Sequence, residues 1–434
     1  MRDWTSPYTG RFPLWAIPLC YVVFSAVAAI VLPRLENSYL RESVAGISVE
    51  SARQCFTAIA SGMLAFTGVV FAVAFMAVQF GTAAYSPRLT ILFVGRPGIY
   101  HTLGLFFATF VYSLAALSWT DRAGRSAAPL LSTLLVGLLL LISLMAFAVL
   151  VRSVSDLQIH NVLQTVGRRG RAVIAEMPPA GEFAVAGRPL GRIAPPIRGA
   201  AIQQLTYEGH PQVVAELDLR ALAQHAQAAD AIIRIDCAVG DTLRYAAPLA
   251  TSFGAPVAEA AVRRCIRLEP LGTFKQDPRF ALRLLADVAI RALSPAVNDP
   301  TTAVQALDQI EDLLRLLGAR QLDSGLVRDS YGIVRVVFPA PAWDDFLQLA
   351  FDEIRQYGAG SIQVQRRLRA ALAGLAEGLP EGDRRAAVSR YHRHFDQSIR
   401  RSGFDAQDRQ VGRVEDLQGL GASRRRAAAG PHGR

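Results

Sequence analysis

Lysine is almost missing from this chain: Lys275 is the single one among 46 basic residues, and every other cation is arginine. With alanine equally pervasive, that pattern reads as a compositional bias. The net charge of +10 is then a weak argument for a nucleic-acid partner, and none is expected. Cysteine is scarce as well. Cys20, Cys55, Cys237 and Cys265 are far apart, with no C-x-x-C pair and no histidine pairing beside them. That spacing argues against a disulfide framework or a zinc site, and the four thiols read as reduced fillers. The histidines do not cluster, since His392 and His394 are two apart and fall on different faces of a helix. No G-x-S-x-G, H-E-x-x-H, P-loop or dinucleotide fingerprint stands in a strand–turn–helix setting. Neither an enzymatic reaction nor a cofactor is expected.

What is plentiful is apolar sequence without charge. Leu14–Leu32, Thr57–Val78, Thr102–Trp119 and Leu130–Val151 contain no Asp, Glu, Lys or Arg. At about 1.5 Å per residue each is long enough to cross a bilayer core of roughly 30 Å as a helix. Nothing after Val151 could do so. The N-terminus lacks a small-residue cleavage signature, so the first run is a retained span, which Pro33 is expected to stop. Uncharged spans also leave no proton relay or ion-pair coupling of the usual transporter kind.

Thr57–Val78 is the run around which the membrane half is expected to be organised. Ala58, Ser61, Ala65, Gly68 and Ala72 follow a 3-4-3-4 spacing and form one narrow stripe of small residues. In lipid such a stripe lets another backbone approach closely. Thr102–Trp119 carries a weaker small pair, Gly104 and Ala108. Ser86-Pro87-Arg88 halts the second helix and leads into a short interfacial segment. Four spans place the N-terminus, the second loop and the C-terminal region on one side. Eight arginines near span ends on that side, against five on the other, make it the cytoplasmic side.

The remainder reads as soluble α+β. Residues 152–271 are expected to hold a helix and a small β-rich module, with strands at Ala231–Cys237 and Ala261–Leu268 and a helix near Leu219–Ala228. Residues 272–402 read as mainly helical. Asp277-Pro278 and Asp299-Pro300 each pair a capping carboxylate with proline at the first helical position. The second opens an amphipathic helix that buries Val304, Leu307, Ile310, Leu313, Leu314 and Leu317 and leaves Asp308, Glu311 and Arg315 outside. Asn298 suits a positive φ in the preceding turn. From Gly403 a disordered basic tail is expected.

Two signatures stand together. One is Ser86-Pro87-Arg88 followed by Gly104, Phe106, Phe110, Val111 and Tyr112. The other runs from Asp287 through Ser294, Pro295, Asn298, Asp299 and Pro300 to Ala303. With them the chain resembles, over roughly residues 10–400, the bacterial family of predicted membrane proteins called domain of unknown function 2254. The resemblance implies membrane spans followed by a soluble region, in a bacterial inner membrane, and it implies no reaction. Two functional expectations remain. In one, copies pack through the stripe into a homo-oligomeric, channel-like protein with a cytoplasmic sensing domain, since uncharged pores can gate by dewetting. In the other, the spans anchor a regulatory or scaffold protein whose cytoplasmic region binds a ligand or partner.

Overall fold

The computed structural model describes residues 13, 15–39, 48–80, 97–121, 130–155, 158–177, 200–322, 325–401, 403–417 and 419. The chain divides into two compact units, Met1–Gln158 and Ile159–Arg434.

The first unit contains α1 (Ala16–Tyr39), α2 (Val49–Phe80), α3 (Pro97–Asp121) and α4 (Leu130–Ser155). All four are long and apolar enough to cross a membrane. Pro33 lies inside α1 and does not end it. Its ring removes one hydrogen bond, to the carbonyl four residues back, and the helix continues through Tyr39.

The organising helix is α3, not α2. It packs against α1, α2 and α4 and is the most buried of the four. The reason is local. A Cβ on Gly104 would sit 2.7 Å from the Tyr21 ring and 3.1 Å from the Pro18 Cα, so α1 crosses α3 at this small residue. One turn on, Ser25 Oγ donates to the Ala108 carbonyl at 2.6 Å. Thr109 and Ser143 hydroxyls, 2.9 Å apart, join α3 to α4, and the Tyr112 hydroxyl donates to Ser132 Oγ at 3.3 Å. Polar groups inside a bilayer need such internal partners.

The second unit begins with α5 (Ile159–Glu176). It continues through β1 (Ala201–Thr206), β2 (Gln212–Leu217), α6 (Leu219–Ala228), β3 (Ile232–Ile235), β4 (Thr242–Leu243), β5 (Pro248–Phe253), α7 (Glu259–Arg264) and β6 (Ile266–Glu269). Then come α8 (Pro278–Ala292), α9 (Pro300–Gly318), β7 (Leu326–Arg328), β8 (Val334–Val337), α10 (Trp343–Tyr357), α11 (Ile362–Gly378), α12 (Asp383–Arg400) and α13 (Ala406–Gly412). One sheet has the order β1-β5-β3-β8-β7, antiparallel except for the parallel pair β3–β8, and a smaller one is β4-β2-β6. Leu222, Ala226, Ile233, Ile235, Val214 and Val336 share their core. Ala261–Leu268 is not one strand. Its first half is the helix α7, because Glu259 and Arg263 pair four residues apart at 2.6 Å and only Ile266–Glu269 extends along β2.

The helices form a layer around α9, whose apolar face is buried as its spacing requires. Glu311 departs from that reading. It is buried, because Arg367 of α11 reaches it at 2.6 Å and Arg315 bonds the same carboxylate. Polar periodicity places a charge on a face, but only a tertiary partner takes it out of water. Helix α5, grouped above with the β module, packs on α8 and α9 instead. Gly170 is the point of approach, since a Cβ there would lie 2.8 Å from Ala281 and 2.9 Å from Leu313. Gly403 does not begin a disordered tail within the described residues. Asp405 caps α13, Asp416 is buried, and Gln363 donates to the Gly419 carbonyl at 2.7 Å.

On α12, burial holds the His392 imidazole below its usual value, and Arg369 lies 3.3 Å from its Nε2. A lowered folded pKa means that the unfolded chain binds the proton more readily. This contribution is therefore complete above the unfolded value of about 6.5 and is lost as pH falls through and below it. Melting of the full chain should drop more between pH 7.5 and 5.5 than that of His392→Gln. Equal pH slopes would remove His392 as the cause.

Candidate functional site

The five stripe residues Ala58, Ser61, Ala65, Gly68 and Ala72 all lie exposed on α2, and nothing stands within 4 Å of a Cβ built on Gly68. The bundle takes a different face of the helix, through Phe56, Ala60, Met63, Thr67 and Val70. Within one chain, close helix approach occurs at Gly104 and the stripe is left uncovered. Ser86, Pro87 and Arg88 lie outside the described residues.

The second signature is a helix–turn–helix joint. Ser294 Oγ donates to the Arg291 carbonyl at 2.7 Å and ends α8. Asn298 adopts φ +47°, the left-handed region, and its N–H reaches the Ser294 carbonyl at 2.8 Å. Asp299 accepts from the Thr302 N–H at 3.1 Å and from its hydroxyl, with Pro300 as the first residue of α9. Ser294 and Asp299 have structural tasks through their side chains, and Asn298 has one through its backbone. Asp299→Ala should cost about 0.5–2 kcal/mol in chemical denaturation, the usual range for a lost N-cap. Asp299→Asn should recover most of it.

The place with ligand-binding geometry is elsewhere, and the sequence reading passed over it. A cavity of about 320 Å³ opens beside the N-terminus of α8. Its walls come from the end of α5, the β2–α6 junction, the segment 275–279, and the stretch after β8 that leads into α10. Most of the lining is apolar, including Val173, Met177, Leu219, Phe338 and Phe346. Its charged groups are Glu176, Lys275, Asp277 and Arg279.

Two of those four neutralise each other. Arg279 Nε donates to both Asp277 oxygens at 2.9 Å, and its Nη2 donates to the Val239 carbonyl at 2.6 Å. Asp277 also caps α8 through the Arg279 N–H. Gln276 is spent on the backbone, bonding the Leu217 N–H and carbonyl at 2.9 and 3.1 Å. Of the two cations here, Lys275 is the more loosely held. Its Nζ is 3.6 Å from Glu269, and its side chain is 40% exposed. The one signal that could have found the site was the isolated lysine, a residue type this chain otherwise avoids.

All four cysteines are free, and burial with the nearby Asp241 and Asp236 pushes the Cys237 thiol up to about 12. Among the described residues no three His, Cys, Asp or Glu side chains gather as a metal site.

Four apolar helices followed by a soluble α+β unit define a multi-span membrane protein. The family model described as "Predicted membrane protein (DUF2254)" matches residues 11–374. The chain belongs to that family. It is similar to the uncharacterized proteins Rv1290c and MT1328 of Mycobacterium tuberculosis and Mb1321c of Mycobacterium bovis. Each is 27% identical over 350 residues, which is 78% of this chain. The match spans 66% of the length of these relatives, a little under two thirds. No solved structure matches significantly.

Proposed function

We propose that this is a membrane-anchored regulatory protein whose C-terminal region binds a small molecule in the cavity beside α8. The observation that carries the reading is the cavity itself. Its volume lies at the lower end of the range for small-molecule sites, and its lining is mostly apolar with a few polar groups. The reading assigns binding to this cavity. The anchor lies in a bacterial inner membrane with the C-terminal region in the cytoplasm, as the arginine asymmetry favours. A C-terminal fluorescent fusion that folds only in the cytoplasm tests that orientation. For the binding itself, small molecules are screened for thermal stabilisation of the full chain in nanodiscs. A ligand at 100 times its Kd stabilises by about 2.7 kcal/mol. Leu219→Trp, which fills the cavity, should abolish the response. Stabilisation that survives this substitution would place binding elsewhere.

A second reading rests on the exposed stripe. Small residues turned away from their own bundle suit contact with a second copy, and such an oligomer is a candidate permeation protein. Gly68→Leu should shift cross-linked oligomers to monomers and abolish discrete currents in a planar bilayer. Oligomers unchanged by the substitution would count against it.

A further inference from the structure

We infer that the cavity takes an amphipathic small molecule bearing one anionic group, a carboxylate or a phosphate, held by the ammonium of Lys275. The inference rests on the ligand-binding reading above and adds the ligand's chemistry to it.

Availability of charge comes first. Around the cavity Arg279 and Asp277 are paired, and Gln276 is bound to the backbone. Lys275 keeps only a contact at 3.6 Å, well beyond the roughly 2.7–2.9 Å of a charge-assisted hydrogen bond. Its partner Glu269 is nearly buried while the lysine side chain is 40% exposed, so the ammonium, with three N–H donors, can keep that contact and offer another N–H to an incoming anion. Residue type comes second. Of 46 basic residues this is the one that is not arginine. An ammonium is a compact point charge with three rotatable donors, whereas a guanidinium is a broad planar fork. A lysine at a cavity wall suits a single small anionic head beside an apolar body. Third is size. About 320 Å³ lies at the lower end of the range for small-molecule sites. Apolar Val173, Met177, Leu219, Phe338 and Phe346 would enclose its hydrocarbon part.

Four probes with one chain length and different heads test this: octanoate, octyl phosphate, octanol and octylamine. Binding is measured by titration calorimetry on the full chain in nanodiscs, with empty nanodiscs subtracted. Octanoate or octyl phosphate should bind at least tenfold more tightly than octanol, and the two acids together show which anionic head is preferred. Lys275→Met should erase that preference and leave octanol binding unchanged, with melting confirming that the variant folds. Equal binding of octanol and both acids, or preference for octylamine through Glu176, overturns the anionic ligand and leaves the cavity reading standing. A preference for acids that persists in Lys275→Met overturns the role of Lys275. No binding by any of the four overturns both.

Discussion

Glu311→Ala is expected to destabilise the C-terminal unit by about 3–5 kcal/mol, the cost of breaking a buried ion pair by removing one partner. Arg367 is 6% exposed in its side chain and is held by Asp308 and Glu311 at 2.6 Å each. Glu311 serves two guanidiniums, since Arg315 donates to it at 2.6 and 2.9 Å. Without it, Arg367 stays buried with Asp308 alone. Asp308 is a poor substitute because burial pushes its carboxyl above the usual range in spite of Arg367. Asp308→Ala should therefore cost less than Glu311→Ala. Pairing Glu311→Leu with Arg367→Met should recover most of the loss, because well-packed apolar side chains need no desolvation. Trp343 is the only tryptophan in this unit, and its fluorescence during urea unfolding of the full chain reports the change. A loss under about 1 kcal/mol for Glu311→Ala would mean that water reaches Arg367.

The second large effect is expected in the membrane. Gly104→Leu drives a side chain into the Tyr21 ring and towards the Pro18 backbone. Overpacking costs about 1–3 kcal/mol where neighbours can shift. Here one neighbour is main chain, so the upper end applies and α1 should separate from α3. Gly68→Leu adds the same atoms where nothing lies within 4 Å. It should leave thermal melting in nanodiscs within about 0.5 kcal/mol. The pair reads the two small-residue sites separately, one for the fold of a single chain and one for association. If both variants melt alike, α1 does not depend on close approach at Gly104.

Much of the fold was legible in the sequence because it follows from local rules. Uncharged runs of bilayer length mark all four membrane helices. Asp277-Pro278 and Asp299-Pro300 start α8 and α9 where carboxylate caps and a first-position proline require. The positive φ of Asn298 falls where an amide residue tolerates it. Leu219–Ala228 is a helix over the expected residues, and 272–402 is mainly helical. These features depend on a few consecutive residues and the solvent around them.

What the sequence left open depends on partners distant along the chain. Spacing made the α2 stripe the stronger packing signal, yet Tyr21 and Pro18 meet α3 at Gly104, more than 80 residues away. Glu311 has the pattern of a solvent-facing residue and becomes buried because Arg367, 56 residues later, closes over it. The cavity joins residues from Val173 to Phe346, and no window of sequence contains it. Its one local trace is Lys275, visible as an exception in composition, while its 3.6 Å contact with Glu269 and the apolar walls around it exist only once those segments pack. Periodicity and capping act over one or two turns, so the sequence determines elements and their faces. Which faces meet, and which charges pair, is decided by tertiary packing.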